Sequence, residues 1–203
     1  MSEIQTTKQY YERNAQQWAS LQCNSFQDEV GFRLFRSYLN EGETVIDFGC
    51  ANGIHVPLFL GIGHGLIYTG VDISNQFLII ARERYPQLHF LEGNLVDADT
   101  LPKEKYDGVW CPATLMHIPL ALWDVAITNI YATMKNGAVA YFTLPTAHPN
   151  AIENAEDTRH FTILSQEEQR EQFLRAGFKI LHNGVKDDLT KRKIWQYYLL
   201  MKN

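Results

Sequence analysis

Apolar runs alternate with helical stretches along most of the chain, and that alternation sets its architecture. Short apolar runs at residues 44–48, 67–71, 88–91, 106–111 and 138–144 read as strands. Between them the spacing predicts helices from residue 54, over 75–85 and over 120–134, with Asn136-Gly137 closing the last helix and opening the strand after it. Strands separated by helices of this length imply a parallel, doubly wound α/β sheet. Two further helices precede the first strand, at 6–18 and 26–39; Val30, Leu34, Phe35 and Leu39 supply the apolar positions of the second. Glu41-Gly42-Glu43 then breaks the helical pattern. Near the other end, Ser165-Gln166-Glu167-Glu168 has the form of a capping box that starts a helix ending at Ala176-Gly177. Strands at 178–185 and 194–201 follow, joined by a short polar segment, a spacing suited to an antiparallel hairpin.

Composition narrows the function classes. A chain of 203 residues with 45% hydrophobic and 20% charged positions suits one globular domain. We expect a helical segment at 1–40 and an α/β core at 41–203. There is no apolar run of membrane-spanning length, and the start Met-Ser-Glu-Ile-Gln lacks a signal peptide's form, so a cytoplasmic protein with no membrane partner is expected. A net charge of −5 without a basic block disfavours DNA as a partner. Cys23, Cys50 and Cys111 are odd in number and far apart, which suggests reduced thiols. The histidines are scattered, so no metal site is expected. The pattern implies no oligomeric state.

Chemistry concentrates at residues 45–53, Val-Ile-Asp-Phe-Gly-Cys-Ala-Asn-Gly. A buried strand leaves through a small-residue loop, where Gly49 and Gly53 let the backbone approach a ligand and Asp47 supplies a carboxylate. Tyr68-Thr69-Gly70-Val71-Asp72 is a second strand ending in an acid, placed to accept hydrogen bonds from ribose hydroxyls. The glycines alone also fit an ordinary strand-to-helix turn; the two acids favour a nucleoside. A dinucleotide fingerprint starting at Gly49 fails at Ala51 and Ile54.

Acid-x-Gly-x-small-x-Gly followed by the second acid resembles the class I S-adenosylmethionine-dependent methyltransferases. The resemblance extends over residues 44–203. It implies a Rossmann-like, mostly parallel seven-stranded sheet with a terminal antiparallel hairpin, S-adenosyl-L-methionine as cofactor and S-adenosyl-L-homocysteine as product. By that resemblance Asp47 orients the methionine amine, and Gly49, Cys50 and Ala51 form the close-approach loop. Asp72 takes the ribose diol, Ile73 lies on one adenine face, and Asn94 and Leu95 border the adenine amino group. Two departures stand out: Ala51 replaces the family's middle glycine, and Asn94 stands where an acid is common.

Tyr11, Ala15 and Trp18 share one helical face and resemble the lid helix of small-molecule methyltransferases, although the same stripe serves simple docking. The segment Cys111 to Pro119 resembles the one bordering the acceptor pocket, where His117 is a candidate general base or a packed histidine. It carries no Asn-Pro-Pro-Tyr-like tetrad, which argues against adenine or glutamine amide nitrogen as acceptor. After the fifth strand, His148, Arg159 and His160 are candidates for binding an acidic substrate or taking its proton, or are solvated loop residues. Methyl transfer needs placement more than a fixed set of catalytic groups. The expected function is transfer of a methyl group to an oxygen or nitrogen of a small molecule. The alternatives are a tRNA or protein methyltransferase, and a non-catalytic cofactor-binding regulator.

Overall fold

The computed structural model describes residues 2–21, 28–147, 157–186 and 195–203. In chain order the elements are α1 (Glu3–Leu21), α2 (Glu29–Arg36), β1 (Thr44–Phe48), α3 (Val56–Leu60), β2 (Ile67–Asp72), α4 (Asn75–Arg84) and β3 (His89–Glu92). Then come β4 (Tyr106–Pro112), α5 (Trp123–Ala132), β5 (Met134–Pro145), α6 (Gln166–Arg175), β6 (Phe178–Lys186) and β7 (Trp195–Lys202).

The seven strands form one sheet in the order β3-β2-β1-β4-β5-β7-β6. The first five run parallel, and β7 inserts antiparallel between β5 and β6. The expected terminal hairpin is therefore present, with its second strand turned inward to pair with β5. Because the chain winds outward from β1 in one direction and from β4 in the other, a crevice opens at their carboxyl ends.

Strand alternation gives the sheet two apolar faces. Ile46, Phe48, Val109 and Phe142 point toward α5 and α6, where Trp123, Ile127 and Phe173 are buried with them. Val45, Trp110 and Tyr141 point the other way, against Phe32 and Phe35 of α2 and Leu78 of α4. Each such fully buried side chain stabilises the fold by about 1.5–3 kcal/mol. Trp110 stacks on Tyr141 with ring centroids 4.4 Å apart. A third, smaller cluster joins Ala15 and Ala19 of α1 to Phe77 and Ile80 of α4, with Tyr11, Trp18 and Ala51 against it.

Several boundaries differ from the sequence pattern for identifiable reasons. Helix α1 runs longer than 6–18, reaching Glu3 and Leu21. Helix α2 starts at Glu29 because the Asp28 side chain accepts the Gly31 N–H as a cap. That start turns Gly31, Phe32 and Phe35 inward and leaves Val30 82% exposed, contrary to the expected apolar stripe. Residues 120–122 form a 3-10 turn ahead of α5, which stops at Ala132. Asn136-Gly137 does not separate helix from strand: β5 already begins at Met134, and the pair lies where its register against β4 shifts. Gly137, at φ +78°, supplies the left-handed residue of that bulge. The capping box forms as expected, with Ser165 and Glu168 bonding reciprocally. Asp107 bonds Thr44 and Lys135 at the opposite end of the sheet from the crevice, a structural role.

Candidate active site

Burial and register fix Asp47 at the tip of β1. It is fully buried, and its Oδ2 accepts hydrogen bonds from the Tyr68 hydroxyl at 3.0 Å and from His55 Nδ1 at 3.1 Å. The register partner of Asp47 on β2 is Gly70; a Cβ there would stand 2.9 Å from the Tyr68 hydroxyl, so the glycine clears that tyrosine's path. The other carboxylate oxygen, Oδ1, is buried without a partner, as are both amide atoms of Asn52 in the following loop.

That loop comes very close to the segment after β4. Gly49 has φ +75°, and a Cβ on it would lie 2.0 Å from Thr114 Oγ1. Thr114 Oγ1 is itself within 3.1 Å of the Phe48 carbonyl and 3.0 Å of the Pro112 carbonyl, tying the two strand ends together. Among the described residues, Ala51 (φ +48°) and Ala113 (φ +53°) are the non-glycine residues in the left-handed region, one beyond each of these neighbouring strands. Strain of this kind collects at functional sites. Cys50 is fully buried, and its thiol pKa is pushed well up, first by desolvation and then by Asp72 and Asp47, so it is not a nucleophile.

Asp72 ends β2. Its Oδ2 accepts the Ala51 N–H at 2.9 Å and its Oδ1 the Ser74 N–H at 2.8 Å, which leaves lone pairs free on both oxygens. Burial raises its pKa to about 6 against those two bonds. Ile73 follows half-buried, and Ser74 caps α4. Asn94 Oδ1 accepts the Val96 N–H at 3.2 Å, and Leu95 is buried with its carbonyl bonded to Asn129.

Helix α1 and residues 157–162 form the cover over this crevice. His117 Nδ1 lies 2.8 Å from the His160 carbonyl, which can only accept, so Nδ1 carries the proton. His117 Nε2 therefore accepts from the Tyr11 hydroxyl, at 2.9 Å. Burial lowers the pKa of His117 to about 4 against the His160 bond, and Arg159 adds to the lowering. Arg159 donates to the Tyr11 oxygen at 3.2 Å and makes a two-pronged pair with Asp157 at 2.8 and 2.6 Å. Its guanidinium lies 5.0–5.6 Å from the ring centres of Tyr10, Tyr11, Trp18 and Phe161. His160 donates its N–H to Thr7, and its ring meets Thr162 and Glu3. Glu12 accepts the Asn75 and Gln76 N–H groups at the start of α4, and Lys8 pairs with Glu92 at 2.7 Å.

The structure thus joins Tyr11, Trp18, His117, Arg159 and His160 into one network above the Asp47, Gly49, Ala51 and Asp72 loops. His148 lies outside the described residues. Sequence reading missed His55, Tyr68, Asn52, Thr114 and Glu12. None carried a usable sequence signal; Tyr68 reaches the face that Asp47 uses through strand register, as the partner of Val45. Among the described residues no group of three or more His, Cys, Asp or Glu side chains is placed to hold a metal ion. The glycine crevice, the unpartnered Asp47 oxygen and the free lone pairs of Asp72 suit a nucleoside with a cationic end.

Comparisons with known proteins point the same way. Residues 11–183 match a family model described as a methyltransferase domain. A ubiquinone biosynthesis O-methyltransferase of Paraburkholderia phytofirmans is 37% identical over 112 residues, 50% of this chain and 44% of that protein. A trans-aconitate 2-methyltransferase of Paracidovorax citrulli is 26% identical over 130 residues, 64% of this chain and 46% of that one. The chain thus spans less than half the length of these curated relatives. In fold it is similar to the 1,6-didemethyltoxoflavin-N1-methyltransferase of Burkholderia thailandensis, solved with S-adenosylhomocysteine, at TM-score 0.78 and 13% identity, covering 98% of this chain and 88% of that one.

Proposed function

Because this chain belongs to the S-adenosylmethionine-dependent methyltransferase family, we propose that it transfers the methyl group to an oxygen or nitrogen of a small-molecule acceptor. S-adenosylmethionine, when bound, supplies a methyl group already activated on a sulfonium, so the protein's task is to place the acceptor and exclude water. In this reading Asp72 holds the ribose hydroxyls, Ile73 covers one adenine face, and Asn94 and Leu95 border the adenine edge. Asp47 attracts the methionine amine, while Gly49, Cys50 and Ala51 let the backbone come close.

The observation that carries the small-acceptor reading is the enclosure of the crevice. Tyr11 of α1 bonds both His117 and Arg159, and Thr7 bonds His160, so helix and cover close as one unit. A flexible small molecule fits beneath such a cover, whereas a folded RNA or protein would have to part it. His117 is neutral near pH 7, and its Nε2 lone pair is held by the Tyr11 hydroxyl, so it can serve an acceptor only in exchange for that bond. It positions an acceptor hydrogen or takes up a proton briefly, rather than storing one. Arg159, already paired with Asp157, contributes positive charge at the acceptor end through its remaining N–H groups. His160 holds the cover to α1. Among the described residues no helix is long and apolar enough to cross a membrane, and a cytoplasmic setting with a diffusible substrate agrees with this reading.

The test is release of S-adenosylhomocysteine during incubation with S-adenosylmethionine and panels of phenols, carboxylates and amines. Turnover with at least one small acceptor is expected. Cofactor binding without turnover on any panel would leave a non-catalytic binding module.

A further inference from the structure

Thr114 links the glycine loop to the acceptor side of the crevice. Its Oγ1 stands 3.1 Å from the Phe48 carbonyl at the end of β1 and 3.0 Å from the Pro112 carbonyl at the end of β4, so its one proton is shared between them. Its backbone carbonyl accepts the His117 N–H at 3.0 Å and closes the 3-10 turn that presents the His117 ring. One residue thus grips β1 with its side chain and His117 with its main chain. The fit is tight: a Cβ on Gly49 would lie 2.0 Å from Thr114 Oγ1 and 2.8 Å from its methyl carbon.

The turn at 113–118 is also held from β5 and from the cover. Ala113, at φ +53°, has a backbone conformation that L side chains rarely adopt. Thr143 of β5 fixes it there, accepting the Ala113 N–H with its carbonyl at 3.1 Å and its hydroxyl oxygen at 3.0 Å. The Met116 carbonyl accepts the Thr162 N–H at 2.7 Å, and the Ile118 carbonyl accepts the Thr162 hydroxyl at 2.8 Å. His117 bonds the cover again through the His160 carbonyl. Of all these bonds, only that of Thr114 to Phe48 reaches β1. The glycine loop keeps its shape by other means: Gly49 and Cys50 donate to the Val71 carbonyl at 2.8 and 3.1 Å, and Ala51 donates to Asp72. Loss of the Thr114 hydroxyl therefore frees the turn while the loop stays bonded to β2.

We infer that Thr114 is a positioning residue for methyl transfer, setting the His117–Tyr11 pair in register with the glycine loop and so fixing where an acceptor stands. This rests on the methyl-transfer reading above and deepens it by assigning a residue that acts through His117. A displacement of about 1 Å between reacting groups lowers a rate by about a hundredfold, so a single shared proton at this junction has a large lever.

Thr114→Val keeps the shape of the side chain and removes its hydroxyl; Thr114→Ser keeps the hydroxyl and removes the methyl group. Thr114→Val is expected to lower kcat by about tenfold or more on whichever acceptor the panels return. Calorimetry should find S-adenosylhomocysteine, and 5′-methylthioadenosine, which lacks its amino-acid end, bound within about twofold of the parent. Thr114→Ser should turn over within about twofold of the parent. A second readout needs no turnover: with isotope-labelled histidine, the His117 ring signals are expected to shift in Thr114→Val and to stay in place in Thr114→Ser. Where Thr114→Val does not fold, Thr114→Ala takes its place under the same expectations. Unmoved His117 signals or parent-like turnover in the variant without the hydroxyl overturns the inference. So does an equal loss of turnover and S-adenosylhomocysteine binding, which would make Thr114 a support of the glycine loop, and so does a loss in Thr114→Ser as large as in Thr114→Val. A parent without turnover on any acceptor is a different result: it removes the transfer reading, and the His117 signals then judge the positioning alone.

Discussion

Asp72 is a carboxylate held near its own titration point. Burial lifts it to about 6, while the Ser74 and Ala51 amides pull the other way. In the proposed reading ribose hydroxyls donate to the ionised form, so ligand binding would lower this pKa and affinity would be lost as pH falls through about 6. At pH 5 about one-tenth of such a group is ionised, and methylthioadenosine is expected to bind about tenfold more weakly than at pH 7. Asp72→Asn should flatten that profile and weaken binding by about 1–3 kcal/mol at neutral pH. A flat profile for the parent would remove Asp72 from the ribose contact. At this scale the acids and glycines were legible because each has a defined distance from a strand end. His55, Tyr68 and Thr114 were not, since they reach the site through side-chain direction and strand register, which spacing along the chain does not encode.

Among the elements, α1 depends most on tertiary contacts. Its polar composition gives little reason to form alone, and it is held by Ala15 and Ala19 packing on Phe77 and Ile80. Glu12 adds a second anchor by accepting the two N–H groups that open α4, where the helix dipole favours a negative charge. Glu12→Ala is expected to cost about 1 kcal/mol, a melting-temperature drop of about 2–4 °C, and to weaken S-adenosylhomocysteine as the helix loosens. An unchanged melting temperature would mean that α1 is held by its apolar face alone. The aromatic stripe of this helix was visible in the sequence; its partners His117 and Arg159, 106 and 148 residues away, were not. The α2 and β5 boundaries were misread for local reasons, an Asp28 cap in one case and a Gly137 bulge in the other. Periodicity locates the apolar face of an element but not its cap, and a turn-forming pair inside a strand resembles the end of one.

For the molecule as a whole, strand order places two acids at adjacent tips and leaves a crevice between β1 and β4 that α1 and residues 157–162 cover. The architecture was largely legible because alternating strands and helices leave few ways to cover both faces of a sheet. What the cover admits was not, since it depends on contacts between the two ends of the chain. The account therefore stands on enclosure: an acceptor small enough to enter beneath α1. The direct measurement is incubation with methyl-labelled S-adenosylmethionine and a whole metabolite-plus-macromolecule extract, followed by separation of the products by size. Label in the small-molecule fraction, lost on Asp72→Ala, is the predicted result. Label confined to RNA or protein would contradict the account.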